Sequence, residues 1–247
     1  MKEQALDAQT AYELAGTFIE VTEGVTRGVE SIEVFTLLTE RCVKLLPVEA
    51  AGILLKDVTG TLQVIGSSSP SAHLLDLFQI QSEQGPCLEC TQSGNRVSDT
   101  ALSPEGKWPK FSALARQEKY QAVYALPLSS RGVTIGALNL FSLQVLDEFT
   151  LDIAQTFADT ATVSLLQADV VIDQQIVLRK IHIAVESRNT LEQAQGMISE
   201  RFSISPDAAL EKISIAAKDA HLSLLGAARA IVQRDKSSAI FSILEKK

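Results

Sequence analysis

The stretch Ser187-Arg188-Asn189-Thr190-Leu191-Glu192-Gln193-Ala194-Gln195-Gly196-Met197-Ile198-Ser199-Glu200-Arg201-Phe202 decides how the last quarter of this 247-residue chain is read. Leu191, Ala194, Ile198 and Phe202 recur at steps of three and four, which predicts a helix with one apolar face. Ser205-Pro206-Asp207 then supplies an N-cap, a proline at the first helical position and an acid in the first turn. The helix so started carries Ala209, Leu210, Ile213 and Ala217 as its inward stripe, and His221-Leu222-Ser223 ends it. A third helix is predicted from Leu224 or Leu225 to Gln233, with Ala228, Ile231 and Val232 inward. Three helices in so short a span bury little surface, so the module gains from packing on a partner or a preceding helix. Gly196 costs its helix about 1 kcal/mol relative to alanine. A helix packed closely there, or a ligand approaching the bare backbone, would offset that cost.

From Arg188 through Ala194-Gln195-Gly196-Met197 to Arg201, and on to Ala227-Ala228-Arg229, the segment resembles the ANTAR domain, a three-helix RNA-binding module. The resemblance implies a regulator that binds RNA hairpin loops of a nascent transcript and prevents transcription termination. Carried onto this sequence, its RNA-binding candidates are Arg188, Ala194, Gln195, Gly196, Met197, Arg201 and Lys218. The chain departs from the family at Gln195, where relatives have lysine. The exchange removes one positive charge and one counterion-release contribution. Ser214 and Ile215 stand where relatives often carry arginine. Two other readings stay open. Arg188, Arg201, Lys218 and Arg229 could be solvated helix charges, and the helices could form a DNA-binding helix-turn-helix. The second needs a recognition helix rich in Arg, Asn and Gln, whereas Leu224–Arg234 is mostly Ala, Ile and Leu.

Upstream, residues 10–46 read as helical, with Phe18, Val21 and Val25, then Val34, Phe35, Leu38, Cys42 and Leu45 at helical spacing, until Pro47. The period then changes. Ala50 to Leu55, the turn residues Asp57-Val58-Thr59-Gly60, and Leu62 to Gly66 read as a β-hairpin. Ala122 to Leu128, Ser129-Ser130-Arg131-Gly132, and Val133 to Phe141 read as another. Between them a helix is expected around Leu74–Gln81, a loop through Gly85 and Gly94, and a helix from Pro109 to Lys119. Pro127 marks an edge position or strand end, because it has no ladder N–H. Gly136 allows a bulge or close backbone approach.

This order of elements resembles the GAF domain, a sensory fold. The residues that carry the resemblance are Gly85-Pro86-Cys87-Leu88-Glu89-Cys90, Trp108-Pro109-Lys110-Phe111, Ala125-Leu126-Pro127-Leu128 and Arg131-Gly132-Val133-Thr134-Ile135-Gly136-Ala137-Leu138-Asn139-Leu140-Phe141. The whole chain is then similar to GAF–ANTAR transcription antitermination regulators of the actinobacterial type. The implied fold class is an α+β GAF sensor domain, with a central antiparallel sheet and flanking helices, joined by a coiled-coil-like helix to an all-α three-helix ANTAR domain. The expected boundaries are 1–166 for the sensor with its N-terminal helices, 147–186 for the connecting helix, 187–235 for the output module and 236–247 for a tail. The tail either docks or frays. GAF membership implies a pocket above the sheet, under residues 71–121, for an unknown small-molecule ligand. Cys87, Cys90 and Trp108 are its candidate ligand or thiol-sensor residues. A bilin would need one of these thiols, and haem would need His73, so no cofactor is assigned. Cys87-Leu88-Glu89-Cys90 also admits a zinc site, a redox pair, or two small buried side chains in a loop.

From Asp147 onward Leu151, Ala154, Ala158, Ala161, Leu165, Ala168 and Ile172 make a heptad seam, about three heptads long. A helix that both packs on its own sheet and pairs with a second copy is expected, hence a homodimer.

Composition sets the outer limits. The formal charge of −8 excludes broad, sequence-blind nucleic-acid binding. The acidity lies in front: residues 1–150 carry 18 acidic and 11 basic side chains, whereas residues 187–235 carry six of each. Three cysteines, Cys42, Cys87 and Cys90, do not form a secreted disulfide framework. The acidic start at Glu3 and Asp7 does not read as a signal peptide, and no apolar run is long enough to span a membrane, so a reducing cytoplasm is expected. No phosphate loop, zinc-helix motif or serine elbow is present, so no enzyme, catalytic residue or metal is expected.

Overall fold

The computed structural model describes residues 8–26, 31–57, 59–130, 132–166, 174–234 and 238–244. The chain divides into two compact units, Met1–His182 and Ile183–Lys247.

In the first unit, helices α1 (Ala8–Thr26) and α2 (Ser31–Leu45) precede strands β1 (Ala50–Lys56) and β2 (Leu62–Ser67). Asp57 closes the turn between the strands: its Oδ1 accepts from the N–H groups of Thr59 (2.8 Å) and Thr61 (3.0 Å). Helices α3 (Pro70–Ser82) and α4 (Pro86–Ser93), strand β3 (Val97–Asp99) and helix α5 (Pro109–Gln117) follow. Strands β4 (Ala122–Ser130) and β5 (Val133–Ser142) form the second hairpin, and α6 (Glu148–Leu166) ends the run. All strand pairs are antiparallel, in the order β2-β1-β5-β4-β3. Helices α3, α4 and α5 cover one face, and α1, α2 and α6 form the opposite layer.

Strand alternation sorts the core. Ala50, Leu54, Val123, Ala125, Ala137 and Phe141 face α3, α4 and α5, where they join two apolar clusters with Leu75, Phe111, Cys87 and Cys90. The intervening Ala51, Ile53, Leu55, Leu126, Leu138 and Leu140 are equally buried, so both faces of the sheet are covered. Pro127 sits inside β4, yet β3 pairs only as far as Ala125, so β4 is an edge where the proline lacks its N–H.

Three expectations change. The Gly85–Gly94 loop contains helix α4, and β3 is an additional strand. The heptad seam is covered within the chain. Ala154, Ala158, Ala161 and Leu165 are buried, α6 packs on β4, α1 and α2, and the Phe18 and Phe157 rings stand 5.0 Å apart. Those four side chains are therefore not available to a second copy. Ala168 and Ile172 lie outside the described residues.

In the second unit, α7 (Gln174–Phe202), which begins in the first, continues into α8 (Pro206–Asp219), α9 (Leu224–Val232) and α10 (Ala239–Leu244). Leu191, Ala194 and Ile198 of α7, Ala209, Ile213, Ala216 and Ala217 of α8, and Leu225, Ala228 and Ile231 of α9 are buried. Leu210, Val232 and Phe202 are only half-buried. Ser205 caps α8 by accepting from the Ala208 N–H (3.2 Å), and Ser223 caps α9 by accepting from the Gly226 N–H (3.0 Å). The tail docks: Ile240 and Leu244 of α10 are buried, and the helix packs on α8 and α9.

Candidate nucleic-acid interface and sensor core

Helical geometry divides the surface of α7 into three lines. Leu191, Ala194 and Ile198 point inward. Asn189, Gln193, Gly196 and Glu200, at steps of four, three and four, form the line most exposed to solvent. Gly196 stands in the middle of it, and a Cβ added there would meet nothing within 4 Å. Helix packing therefore does not account for this glycine. Arg188 and Gln195, seven residues apart, share one flank. Arg188 Nε donates to Glu192 Oε1 at 2.7 Å, and Gln195 Nε2 donates to the Pro206 carbonyl at 2.8 Å. Gln195 thus ties α7 to the first turn of α8.

The other sequence candidates scatter. Ala194 is fully buried and supports the face from beneath, so its assignment as an RNA contact is corrected. Met197 is half-buried, while Arg201 and Lys218 are exposed. The half-buried Phe202 ring carries a cation, with Lys212 Nζ 4.6 Å from its centroid. Sequence reasoning missed Asn189, Gln193 and Arg229 as neighbours: they line one open hollow of about 640 Å³ between α7 and α9. The four-step spacing of the first two was legible, whereas the approach of Arg229 is tertiary.

In the first unit, Cys87 and Cys90 are fully buried on the inward side of α4, among Leu54, Val64, Ala125 and Ala137. Gly85 starts α4 at φ 143°, and a Cβ there would stand 2.7 Å from Gln79 Cδ. The Gln79 carboxamide fills that space and accepts the Cys87 N–H at 2.9 Å. Trp108 lies on the other side of α4. It borders an open hollow with Leu88, Glu89 and Lys107, the last ion-paired to Glu89. The three proposed sensor residues therefore do not converge on one site. A buried polar group lies deeper: Asp76 Oδ1 accepts from Asn139 Nδ2 at 2.7 Å and more weakly from Gln79 Nε2 at 3.4 Å. Asp76 Oδ2 and Asn139 Oδ1 are buried without a partner.

A family model for the GAF domain matches residues 30–165, more than half of the chain, and one for the ANTAR domain matches residues 179–232. The chain belongs to the GAF family and carries an ANTAR domain. A search of the curated proteins finds no significant match. Among solved structures, the GAF domain of a Coxiella burnetii phosphoenolpyruvate-protein phosphotransferase is similar at 16% identity and TM-score 0.49, covering 64% of this chain and 95% of its own. The GAF domain region of a Geobacter sulfurreducens membrane protein is similar at 18% identity and TM-score 0.48, covering 59% and 99%. The GAF domain from an Acinetobacter phosphoenolpyruvate-protein phosphotransferase gives 14%, 0.47, 63% and 94%.

Within this GAF domain the thiols are poorly placed for redox chemistry. Burial pushes Cys90 up to about 12 despite Lys56 nearby, and burial with Asp76 alongside pushes Cys87 well above the ordinary thiol range. Cys42, also buried, rises to about 12. Native protein at pH 8 is therefore expected to alkylate at all three positions at least 100-fold more slowly than a free thiol, with full labelling after denaturation. One thiol labelling at the free rate in native protein would restore the redox reading. Among the described residues no group of three or more His, Cys, Asp or Glu could hold a metal, and no helix is long and apolar enough to cross a membrane.

Proposed function

We propose that the GAF domain controls an ANTAR output that binds hairpin loops of nascent RNA and prevents transcription termination. The protein is a regulator without chemistry of its own and acts in the cytoplasm as a homodimer. Paired output modules would engage two adjacent loops, and the linkage would multiply two weak contacts. The sensor occupies residues 1–166, the connecting segment 147–186, of which 167–173 lie outside the described residues, the output 187–235 and the tail 236–247. Signal enters through the GAF domain as an unidentified small molecule, and the Trp108 hollow is the candidate entry.

The observation that carries this reading is Gly196: an interior helix glycine on the most exposed line of α7, with open space above it. The ANTAR match lends it independent support. Arg201 and Lys218 supply exposed charge, while Arg188 must exchange Glu192 for a phosphate if it takes part.

Purified protein should bind a pair of adjacent RNA hairpins across a salt series in preference to duplex DNA or a loop-scrambled RNA. Gly196→Ala separates the two roles of the position. It should stabilise the helical unit by up to about 1 kcal/mol, because the new methyl meets nothing and removes the glycine penalty. It should also weaken hairpin binding about tenfold, because the methyl blocks close approach of RNA. A variant that is more stable and binds hairpins as tightly as wild type would remove Gly196 from the interface. Equal affinity of the wild type for all three nucleic acids would overturn the RNA reading.

A further inference from the structure

We infer that the hollow between α7 and α9, bordered by Asn189, Gln193 and Arg229, receives one unpaired base of the RNA loop and sets which base is accepted. The inference rests on the RNA-binding reading above and adds the specificity site to it.

Position comes first. Asn189 and Gln193 lie one helical turn apart on the exposed line of α7, and Gly196 is the next residue along it. A loop lying over the bare backbone at Gly196 therefore reaches the hollow with its neighbouring nucleotide. The hollow, about 640 Å³, falls within the range of roughly 300–1,000 Å³ typical of small-molecule pockets.

Chemistry then selects a base over a phosphate. Arg229 reaches the hollow from α9, and Glu186 lines it from α7, so the lining has no excess of either charge. A phosphate site needs a net positive cradle, whereas a base edge is neutral and offers alternating donors and acceptors. The carboxamides of Asn189 and Gln193 each present a donor and an acceptor side by side, the arrangement that pairs with a base edge. Gln195 has the same group, but it holds the Pro206 carbonyl with one N–H and does not line the hollow. Thr190 spends its hydroxyl on the Glu186 carbonyl at 2.9 Å, and Ser187 is buried. Asn189 and Gln193 are thus the amide readers. Ile183, 49% exposed at the rim, and the planar Arg229 guanidinium offer the two kinds of surface on which a base face stacks.

The test is a selection with full-length protein on stem–loop RNAs of randomised loop sequence, read by sequencing. Wild type should enrich a loop consensus. In Asn189→Ala/Gln193→Ala the preference at one loop position should relax at least tenfold, while the slope of log affinity against log salt stays unchanged, because no phosphate contact is lost. Asn189→Asp keeps the shape and removes the donors, so it should change the preferred base and not merely weaken binding. Both variants are on the surface and should keep the wild-type Tm. An unchanged consensus in both variants overturns this inference and leaves RNA binding standing. A wild type that enriches no loop overturns the RNA-binding reading and this inference with it.

Discussion

Replacing Gly136 with alanine is expected to cost the GAF domain about 3–5 kcal/mol. Gly136 lies in β5 opposite Leu55 of β1. A Cβ there would overlap the Leu54 carbonyl oxygen and stand 3.0 Å from that carbonyl carbon and 2.8 Å from Leu55 Cδ2. The obstacle is backbone of a central strand, paired with β2 on one side and β5 on the other. It cannot yield as the end of a flexible side chain can. Relief requires β1 and β5 to separate, and the sheet they centre carries both helical layers. Domains of this size have total stabilities of about 5–15 kcal/mol, so such a loss brings a large unfolded fraction or a Tm lower by 10 °C or more.

Gly16→Ala gives the control of opposite sign in the same compact unit. Gly16 is inside α1, and a Cβ there meets nothing within 4 Å. That variant should gain up to about 1 kcal/mol. Thermal melts of the two variants against wild type check both at once. Equal Tm values for Gly136→Ala and wild type would mean that β1 and β5 are not in the register described.

What the sequence makes legible follows from where the information sits. The hairpins could be read because turn residues and two-residue alternation are local, and both flank Gly136. The cap of α8 could be read for the same reason: Ser205 lies three residues from the N–H group it accepts. Helix α4 could not be read. Its eight residues have no apolar stripe of their own, and its start depends on Gln79, eight residues back, accepting the Cys87 N–H. Strand β3 has three residues, too few for alternation to show. The seam of α6 was ambiguous in principle, because alanines at heptad spacing suit a second helix and the chain's own sheet equally well. On α7 the exposed glycine was visible in the sequence, but the hollow beside it needs Arg229, thirty-three residues beyond Gly196. Asp76 was hidden by its residue type. Ala72, Leu75, Asp76 and Gln79 make a regular buried stripe at helical spacing only once two polar residues are counted as core.

The stability of the GAF domain should fall between pH 5 and pH 8 through Asp76, and Asp76→Asn should remove that component. Burial pushes the Asp76 carboxyl up to about 8, and the hydrogen bonds donated by Asn139 and Gln79 only partly oppose it. In the unfolded chain an aspartate titrates near 3.9. The folded chain therefore holds a proton that the unfolded chain releases. The stability contributed by the neutral acid is fully present below about pH 4 and is lost as pH rises through about 8, at about 1.4 kcal/mol per unit between the two. The groups facing Asp76 do not reverse this sign. The Cys87 thiol is itself pushed upward and stays neutral, while Lys56 directs its ammonium to the Thr91 carbonyl at 2.6 Å and the Thr134 carbonyl at 3.5 Å. Asp147, held low by hydrogen bonds from Thr150, acts in the opposite sense and only below about pH 4, outside this window. The asparagine variant cannot lose a proton. Its extra amide N–H groups enter a place where Asp76 Oδ2 had no partner, and they cost about 1–3 kcal/mol at every pH. Its absolute stability therefore decides nothing, and the difference in slope decides everything. Denaturant unfolding at pH 5, 6, 7 and 8, followed through the single tryptophan Trp108, isolates that slope, because all other titrating groups cancel between the two proteins. Parallel curves for wild type and Asp76→Asn would place the carboxylate, ionised, in contact with water. A wild-type curve that falls more steeply than the variant's by about 1.4 kcal/mol per pH unit would establish a neutral acid seated on Asn139, where α3 and α4 meet the sheet.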